Sequence, residues 1–142
     1  MILIADSDQH CTPIHWQSKK IKRVVRSTLA AECLALQNAV DHAFYLKNVM
    51  SDMLGFDLEI HCHTDNQSLV DSLHSSTNVK EDKRLVLDVC SLKEMMERKE
   101  LHSVKWVSKN GQIADAMTKS GASPLALQRV VCSGELLSNS GW

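Results

Sequence analysis

The stretch Leu58-Glu-Ile-His-Cys-His-Thr-Asp-Asn-Gln67 decides the fold class, because a strand pattern gives way in it to a helix pattern. Residues from 58 to 65 alternate between two faces, which carry Leu58, Ile60, Cys62 and Thr64 on one side and Glu59, His61, His63 and Asp65 on the other. Such alternation predicts a strand with one packed and one wetter face. A short helix is predicted directly after it, over residues 67–74.

Upstream of this strand, the sequence predicts a β-hairpin and a long helix. Residues 2–5 and 14–17 are short apolar runs separated by turn-forming residues, which is typical of a hairpin. Ser27 or Thr28 can cap a helix, since a hydroxyl accepts a hydrogen bond from a free backbone N–H. Apolar residues then recur at helical spacing until Gly55, which tolerates the left-handed conformation of a helix end.

Downstream of the strand, helix and strand patterns continue to alternate. After a loop at residues 75–80, we expect a helix over 81–99, a strand over 101–107, a turn at 109–111, and short helices over 112–119 and 124–131. A hairpin followed by alternating helices and strands predicts an α/β fold. The 142 residues fit one domain, with expected bounds of 1–137 and a polar tail at 138–142.

Composition and charge narrow the class of protein. Hydrophobic residues make up 44% and charged residues 23%, the balance of an ordinary globular chain. The net charge of -1 argues against nucleic-acid binding through overall charge, so local patches would carry it. Five scattered cysteines without a CxxC pair indicate reduced thiols, and neither a secretory segment nor a membrane-spanning run is visible. We expect an intracellular protein, cytoplasmic or nuclear, that is not secreted and has no membrane partner.

Three acidic residues stand where an acid needs an explanation. Glu32 shares the apolar stripe of the first long helix, so it lies at the rim of the core or is held by a metal or base; a first-turn acid favoured by the helix dipole is the alternative. Asp65 ends a strand, where α/β folds gather ligand sites, or else it caps the next helix. Asp115 lies on a late short helix, where an exposed acid is the ordinary interpretation. If the three converge, they offer the oxygen ligands that Mg²⁺ prefers.

Four segments of this chain resemble the ribonuclease H region of Ty1/copia retrotransposon polyproteins. They are Ile14-His-Trp-Gln-Ser-Lys-Lys20, Arg26-Ser-Thr-Leu-Ala-Ala-Glu-Cys-Leu-Ala-Leu36, His63-Thr-Asp-Asn-Gln-Ser68, and Trp106-Val-Ser-Lys109 with Gln112-Ile-Ala-Asp-Ala-Met-Thr-Lys119. The resemblance covers nearly everything up to about residue 137. It implies a ribonuclease H-like mixed β-sheet flanked by helices, with four acids that bind two Mg²⁺ ions and hydrolyse the RNA strand of an RNA–DNA hybrid.

The resemblance also implies a role for each of the three acids. Glu32 in Ala-Ala-Glu-Cys matches the helix glutamate, and Asp65 in Thr-Asp-Asn-Gln matches the aspartate at the end of the fourth strand. Asp115 in Ala-Asp-Ala-Met-Thr-Lys matches the late aspartate. Glu32 and Asp65 would help to hold the ions and the attacking water, and Asp115 would complete the coordination.

The chain departs from the family where the first aspartate is expected. The family opens with the central strand that bears it, and two more strands precede the glutamate helix, whereas only a hairpin does so here. Asp6 or Asp8 superficially matches that motif, but residues 13–20 already supply the strand before the basic segment. We therefore interpret Asp6 as a hairpin-turn residue and expect the first strand, with its aspartate, to be lacking. Its two neighbours would lose a ladder partner, and activity would be impaired or lost.

A basic segment precedes the glutamate helix and consists of Lys19, Lys20, Lys22, Arg23 and Arg26. We expect these side chains to contact phosphates of a nucleic acid; a solvated loop and a nuclear-localisation patch are the alternatives. Asn66 and Gln67 of the Thr-Asp-Asn-Gln motif are candidate nucleic-acid contacts as well.

Aromatic and metal-ligand residues receive more ordinary interpretations. Trp16 and Trp106 are expected to pack at the edge of the core rather than to stack on bases. The run His61-Cys62-His63 does not predict zinc, because alternation separates the cysteine from the histidines and no second cluster has ligand spacing.

The leading functional hypothesis is a Mg²⁺-dependent nuclease domain, intact or decayed, that meets RNA–DNA hybrids and follows an upstream reverse transcriptase domain. The alternatives are a non-catalytic nucleic-acid-binding or interaction module that keeps the fold, and a nonfunctional fragment of a polyprotein. Metal dependence separates the first two, since a pure binder tolerates Glu32→Gln.

Overall fold

A computed structural model of the chain describes residues 1–6, 8, 10–75 and 82–135. Within them, the elements run in the order β1 (Ile2–Ala5), β2 (Cys11–His15), α1 (Thr28–Leu54), β3 (His61–Thr64), α2 (Gln67–His74), α3 (Lys83–Glu97), β4 (Ser103–Trp106), a 3₁₀ turn (Lys109–Gly111), α4 (Asp115–Thr118) and α5 (Leu125–Ser133). The fold is therefore mixed α/β, as predicted. The predicted loop beyond Ser75, the helix start at residue 81 and the tail at 138–142 lie outside the described residues.

The chain divides into two compact units. The helical unit comprises Ile21–Lys105, and the hairpin unit comprises Met1–Lys20 with Trp106–Trp142. The first contains α1, α2, α3, β3 and nearly all of β4, whereas the second contains the hairpin and the last two helices. The bounds of 1–137 for one domain stay a prediction.

The long helix α1 begins and ends where its sequence signals lie. Of the two hydroxyl candidates, Ser27 is the N-cap, and its Oγ accepts a hydrogen bond from the Ala30 N–H at 3.1 Å. At the other end, Gly55 adopts φ 77°, and its N–H donates to the Ser51 carbonyl. A side chain at Gly55 would be strained in this left-handed conformation, which explains why the helix ends there.

The helical unit holds the larger core. Helices α1 and α3 pack together, and α2 contacts both. The buried side chains are almost all aliphatic: Ala30, Cys33, Leu36, Val40, Ile60, Leu69, Val70, Leu73, Leu85, Val89, Leu92, Leu101 and Val104. Burial of each large aliphatic side chain stabilises a fold by about 1.5–3 kcal/mol. The stripe predicted on α3 forms this core together with the α1 stripe as far as Ala43, whereas Leu54 at the end of α1 is 47% exposed.

Strands β3 and β4 form a two-stranded sheet and are shorter than predicted. Pairing is confined to His61–Thr64 and Ser103–Trp106, although the predicted strands extended over 58–65 and 101–107. Side-chain alternation shows which face a residue takes, but the ends of a strand depend on where its partner stops. Ile60 still contributes its carbonyl, which accepts from the His102 N–H at 2.8 Å.

In the hairpin unit, β1 and β2 pair antiparallel, with Ala5 opposite Cys11 and Leu3 opposite Pro13. The second strand therefore starts at Cys11 rather than at residue 14, so the predicted turn was too long. Pro13 suits this two-stranded sheet, because an edge strand tolerates a residue that cannot donate to the ladder.

A small second core lies in the hairpin unit. Cys11 of β2, Ile113 and Val130 of α5 are buried together, and Leu3 packs against them. The C-cap of α5 is Gly134 at φ 71°, whose carbonyl accepts from the Cys11 N–H at 2.7 Å. The predicted short helices are present with shifted ends, at Asp115–Thr118 and Leu125–Ser133. Across the described part of the chain, every helix is too short or too polar to cross a bilayer.

Candidate active site

Glu32 lies at the rim of the helical unit's core. It is partly exposed, and its neighbour in sequence, Cys33, is fully buried. The first turn of α1 contains no acidic residue, so the interpretation of Glu32 as a first-turn acid is wrong. A carboxylate that borders an apolar core loses part of its hydration, and this makes the position suitable for an ion-binding group.

Asp65 follows β3 directly and is partly buried. The N-cap of α2 is the next residue, Asn66, whose side-chain oxygen accepts from the Leu69 N–H at 3.1 Å. The alternative in which Asp65 itself caps the helix is therefore wrong. Thr64, the buried last residue of β3, accepts from the Asn66 N–H at 3.2 Å through its Oγ1. These bonds fix the turn that carries Asp65 at the end of the strand.

Asp115 belongs to the hairpin unit and opens the short helix α4. Its side chain is only 19% exposed, so the ordinary interpretation as a solvated helical acid is wrong. The Lys119 ammonium lies 2.7 Å from its Oδ2, one helical turn further on. Opposite charges at this spacing attract each other along a helix, so Lys119 stabilises the charged form of Asp115 modestly.

The basic segment has mixed surroundings. Lys19 and Lys20 in the hairpin unit, and Lys22 and Arg26 in the helical unit, are exposed. Arg23, whose side chain is 37% exposed, also pairs with Asp88 of α3 at 3.0 Å, and the Asp88 side chain is only 16% exposed. Arg23 therefore has an ion-pair partner within the protein, which its position in a basic segment did not indicate.

The two polar residues after Asp65 also have partners within the fold. Asn66 caps α2, as described above, and Gln67 donates from Nε2 to Asp71 Oδ1 at 2.8 Å. Both side chains have structural roles in the helix that carries them. Their contact with a nucleic acid stays a prediction.

Asp6 serves the hairpin turn. Its Oδ1 accepts from the backbone N–H groups of Asp8 and His10, each at 2.9 Å. Its own N–H donates to the His10 carbonyl at 3.0 Å. These bonds agree with the interpretation of Asp6 as a turn residue rather than as the first acid of the family.

Both tryptophans that were expected at the edge of the core are exposed. Trp16 is 60% exposed and Trp106 is 44% exposed, and each belongs to the hairpin unit. Both fractions contradict the expectation of core-edge packing, more strongly for Trp16 than for Trp106. The exposure of Trp16 leaves an aromatic surface close in sequence to Lys19 and Lys20.

The structure also brings close together potential metal ligands that the sequence alone did not connect. Among the described residues, Glu59, His61 and His102 place three ligand atoms within 4.8 Å of one another, and Asp6, Asp8 and His10 do the same. Neither group contains Glu32 or Asp65. Only long-range pairing could have identified the first group, because His102 lies far from Glu59 and His61 in the sequence.

Burial changes the acid–base properties of several side chains in the helical unit. Burial, with smaller contributions from the nearby Lys105 and His61 in the same direction, lowers the pKa of His63 from 6.5 to about 4. It raises the pKa of Cys33 to about 11, with Asp88 acting in the same direction and Arg23 in the opposite one. The Cys62 pKa rises to about 12 for the same main reason. His63 is therefore neutral and both thiols are protonated near pH 7.

Comparison of this chain with protein-family models, with curated proteins and with solved structures finds no match.

Proposed function

We propose that this chain is a ribonuclease H-like domain of a copia-type retroelement that binds RNA–DNA hybrids but hydrolyses them weakly or not at all. The main support for the proposal is the position of two acids that match the family's motifs. Glu32 borders the core on the first long helix, and Asp65 directly follows a strand. Both are partly buried, as metal-binding carboxylates of the proposed class would be.

The order of elements supports the same proposal. A hairpin, a long helix, a strand, two helices, a further strand and two short helices succeed one another in the described residues. The four segments that resemble the family fall on this series in the expected order. Asp115 is assigned from its motif alone, and its carboxylate forms an ion pair with Lys119.

The strand pairing supports the second half of the proposal. The described strands form two separate two-stranded sheets, β1 with β2 and β3 with β4. In the proposed fold, a central strand carrying the first aspartate would supply further pairing. The chain itself offers matches to three of the family's four acids, since Asp6 is engaged in the hairpin turn. Loss of one carboxylate weakens ion binding and slows the reaction.

The available residues fit Mg²⁺ in their chemistry. Carboxylate oxygens are the donors that Mg²⁺ prefers, and Glu32 and Asp65 offer them from partly buried positions. When bound, such ions activate water and stabilise the leaving oxygen of a phosphodiester. Glu32 and Asp65 would hold these ions and orient the water.

Exposed basic and aromatic residues support binding of nucleic acid. Lys19, Lys20, Lys22 and Arg26 are exposed, and ammonium and guanidinium groups bind phosphates with salt-dependent affinity. Trp16 is 60% exposed and offers a face on which a base can stack. A module that binds hybrids without cleaving them needs only this part of the surface.

A paired assay of binding and cleavage tests the proposal. We expect the purified chain to bind a labelled RNA–DNA hybrid, and to release no more RNA fragments with Mg²⁺ than with EDTA. Binding should persist in Glu32→Gln and in Asp52→Asn, a matched exposed acid elsewhere on α1. Absence of hybrid binding would contradict the proposed function. Robust Mg²⁺-dependent cleavage that Asp65→Asn abolishes, but Asp52→Asn does not, would contradict the proposed loss of activity.

A further inference from the structure

We propose that Glu59, His61 and His102 form a binding site for Zn²⁺ on the exposed side of the β3–β4 sheet. The site lies within the helical unit and is independent of the proposed nuclease acids. Glu59 precedes His61, the first residue of β3, by two positions, and the contact between their side chains shows that both lie on the same side of the chain. The His102 N–H donates to the Ile60 carbonyl at 2.8 Å, which places His102 beside that pair.

The distances between the ligand atoms support a shared ion. Glu59 Oε2 lies 3.2 Å from His61 Nε2 and 3.6 Å from His102 Nε2. Ligand atoms of a tetrahedral zinc site lie roughly 3.3 Å apart, given zinc–ligand distances of about 2.0–2.1 Å. Both measured distances are close to this value. The two imidazole rings have centroids 4.8 Å apart and are tilted by 57°, and their ligand nitrogens lie within 4.8 Å of each other. Binding of one ion would draw these nitrogens closer together.

A second hydrogen bond orients one of the two histidines. His61 Nδ1 lies 2.8 Å from the Ser103 Oγ, so Nε2 is the nitrogen that faces Glu59. The Ser103 hydroxyl can donate to Nδ1 or accept from it. Without an ion, Nε2–H can donate to Glu59; with an ion on Nε2, Nδ1–H donates to the Ser103 Oγ. A histidine that ligates metal commonly donates its other N–H in this way, which fixes its tautomer and ring orientation.

The donor set selects the kind of ion. Two imidazole nitrogens and one carboxylate suit Zn²⁺ and related transition metals, whereas Mg²⁺ and Ca²⁺ prefer oxygen donors. The three side chains are 41%, 45% and 60% exposed for His61, His102 and Glu59. Water therefore has access to a fourth coordination position. Because Glu59 and His61 lie just before and at the start of β3, and His102 directly precedes β4, a bound ion would link the two strands and stabilise the unit.

Titration of the purified chain with Zn²⁺ tests this site directly. Isothermal calorimetry should show one site with a dissociation constant on the order of micromolar. The Tm should rise by about 5–10 °C when Zn²⁺ exceeds that constant about 100-fold, and Mg²⁺ should cause no such rise. His102→Ala and Glu59→Gln should each weaken binding at least about tenfold, a change of about 1.4 kcal/mol.

His10→Ala is the matched control, because His10 belongs to the other group of potential ligands. This variant should bind Zn²⁺ as the unaltered chain does. A paramagnetic substitute, Co²⁺, supplies a measurement on the unaltered protein: NMR signals of His61 and His102 should shift or broaden, and those of His10 should not. No Zn²⁺ binding, unchanged binding in His102→Ala, or loss of binding in His10→Ala would overturn the proposal. Glu59 would then serve only as a hydrogen-bond acceptor for the imidazoles of His61 and His102.

Discussion

At the scale of single residues, the structure decides between interpretations that the sequence left open. The sequence offered two caps for α1 and two roles for Asp65, and Ser27 and Asn66 prove to be the N-caps. Glu32 and Asp65 could be selected as candidate site residues from motif and periodicity, because one lies on an apolar stripe and the other ends a strand. The partner of Arg23 could not be predicted from the sequence, because Asp88 lies on α3, far along the chain.

The five thiols differ in burial and should differ in reactivity. The thiolate is the reactive form, and burial raises the pKa of Cys33 to about 11 and that of Cys62 to about 12. Cys90 and Cys132 are exposed. Brief treatment with iodoacetamide at about pH 8 should therefore alkylate Cys90 and Cys132 first, as peptide mass spectrometry would show. Equal labelling of Cys33 in the folded chain would contradict the packing described for α1.

His63 should make the helical unit less stable in acid. Its pKa is about 4 in the folded chain and 6.5 when unperturbed, so the unfolded state binds the proton more readily. Stability is therefore unaffected above about pH 6.5 and decreases as the pH falls toward about 4. Allowing for solvent screening, the loss is about 1–2 kcal/mol.

Urea unfolding at several pH values, in EDTA, measures this effect. His63→Gln should remove much of the decrease between about pH 6.5 and about pH 4. His42→Gln, a change of a partly exposed histidine on α1, should retain it. An undiminished acid dependence in His63→Gln would show that the burial of His63 does not cause it.

At the scale of elements, periodicity predicted the helices better than the strands. The α2 bounds of Gln67–His74 match the prediction, because Asn66 provides the start and the apolar face is short and complete. The strands were predicted too long, since their ends depend on partners distant in sequence. For the same reason, the sequence did not predict the cluster of Glu59, His61 and His102. Alternation correctly put Glu59 and His61 on one face, but only pairing adds His102.

The N-cap of α1 should contribute measurably to stability. Ser27 Oγ accepts from the Ala30 N–H, so Ser27→Ala leaves that donor without its cap and should cost about 1 kcal/mol. Thr28→Ala is the matched control, because Thr28 is an exposed helical residue and alanine favours helix. Chemical denaturation should show a loss for the first variant only. Equal losses would indicate that Thr28 shares the capping role.

The contribution of the basic segment to hybrid binding should be measurable from the salt dependence of the affinity. Replacing Lys22 and Arg26 with glutamine should weaken hybrid binding and reduce the slope of log K against log salt by about 0.7–0.9 for each phosphate that is no longer neutralised. Lys83→Gln with Arg129→Gln removes the same charge from exposed positions outside the segment. Fluorescence anisotropy at several salt concentrations measures both slopes. An equal reduction in the two double variants would indicate that only net charge matters.

At the scale of the whole molecule, the strands in the described part of the chain form two pairs. Each described strand has one partner, and each pair has outer edges that the described strands do not cover. Unpaired N–H and C=O groups along such edges favour pairing with a further strand. The α/β class and element order were predictable from sequence, whereas the division into two units was not.

The most direct test of the central claim adds to the chain a strand that carries the first aspartate of the proposed family. A designed strand of alternating β-branched and polar residues, carrying one aspartate, is joined to the N-terminus through a flexible linker. A second version carries asparagine at the same position and is otherwise identical. The measurement is Mg²⁺-dependent release of RNA fragments from a labelled RNA–DNA hybrid.

We expect no cleavage by the chain alone or by the asparagine version, and clear cleavage by the aspartate version that Asp65→Asn abolishes. Both fusions should have a higher Tm than the chain alone, because each provides the extra pairing. Robust cleavage by residues 1–142 alone would contradict the account, as would a stabilised aspartate fusion that leaves the hybrid intact.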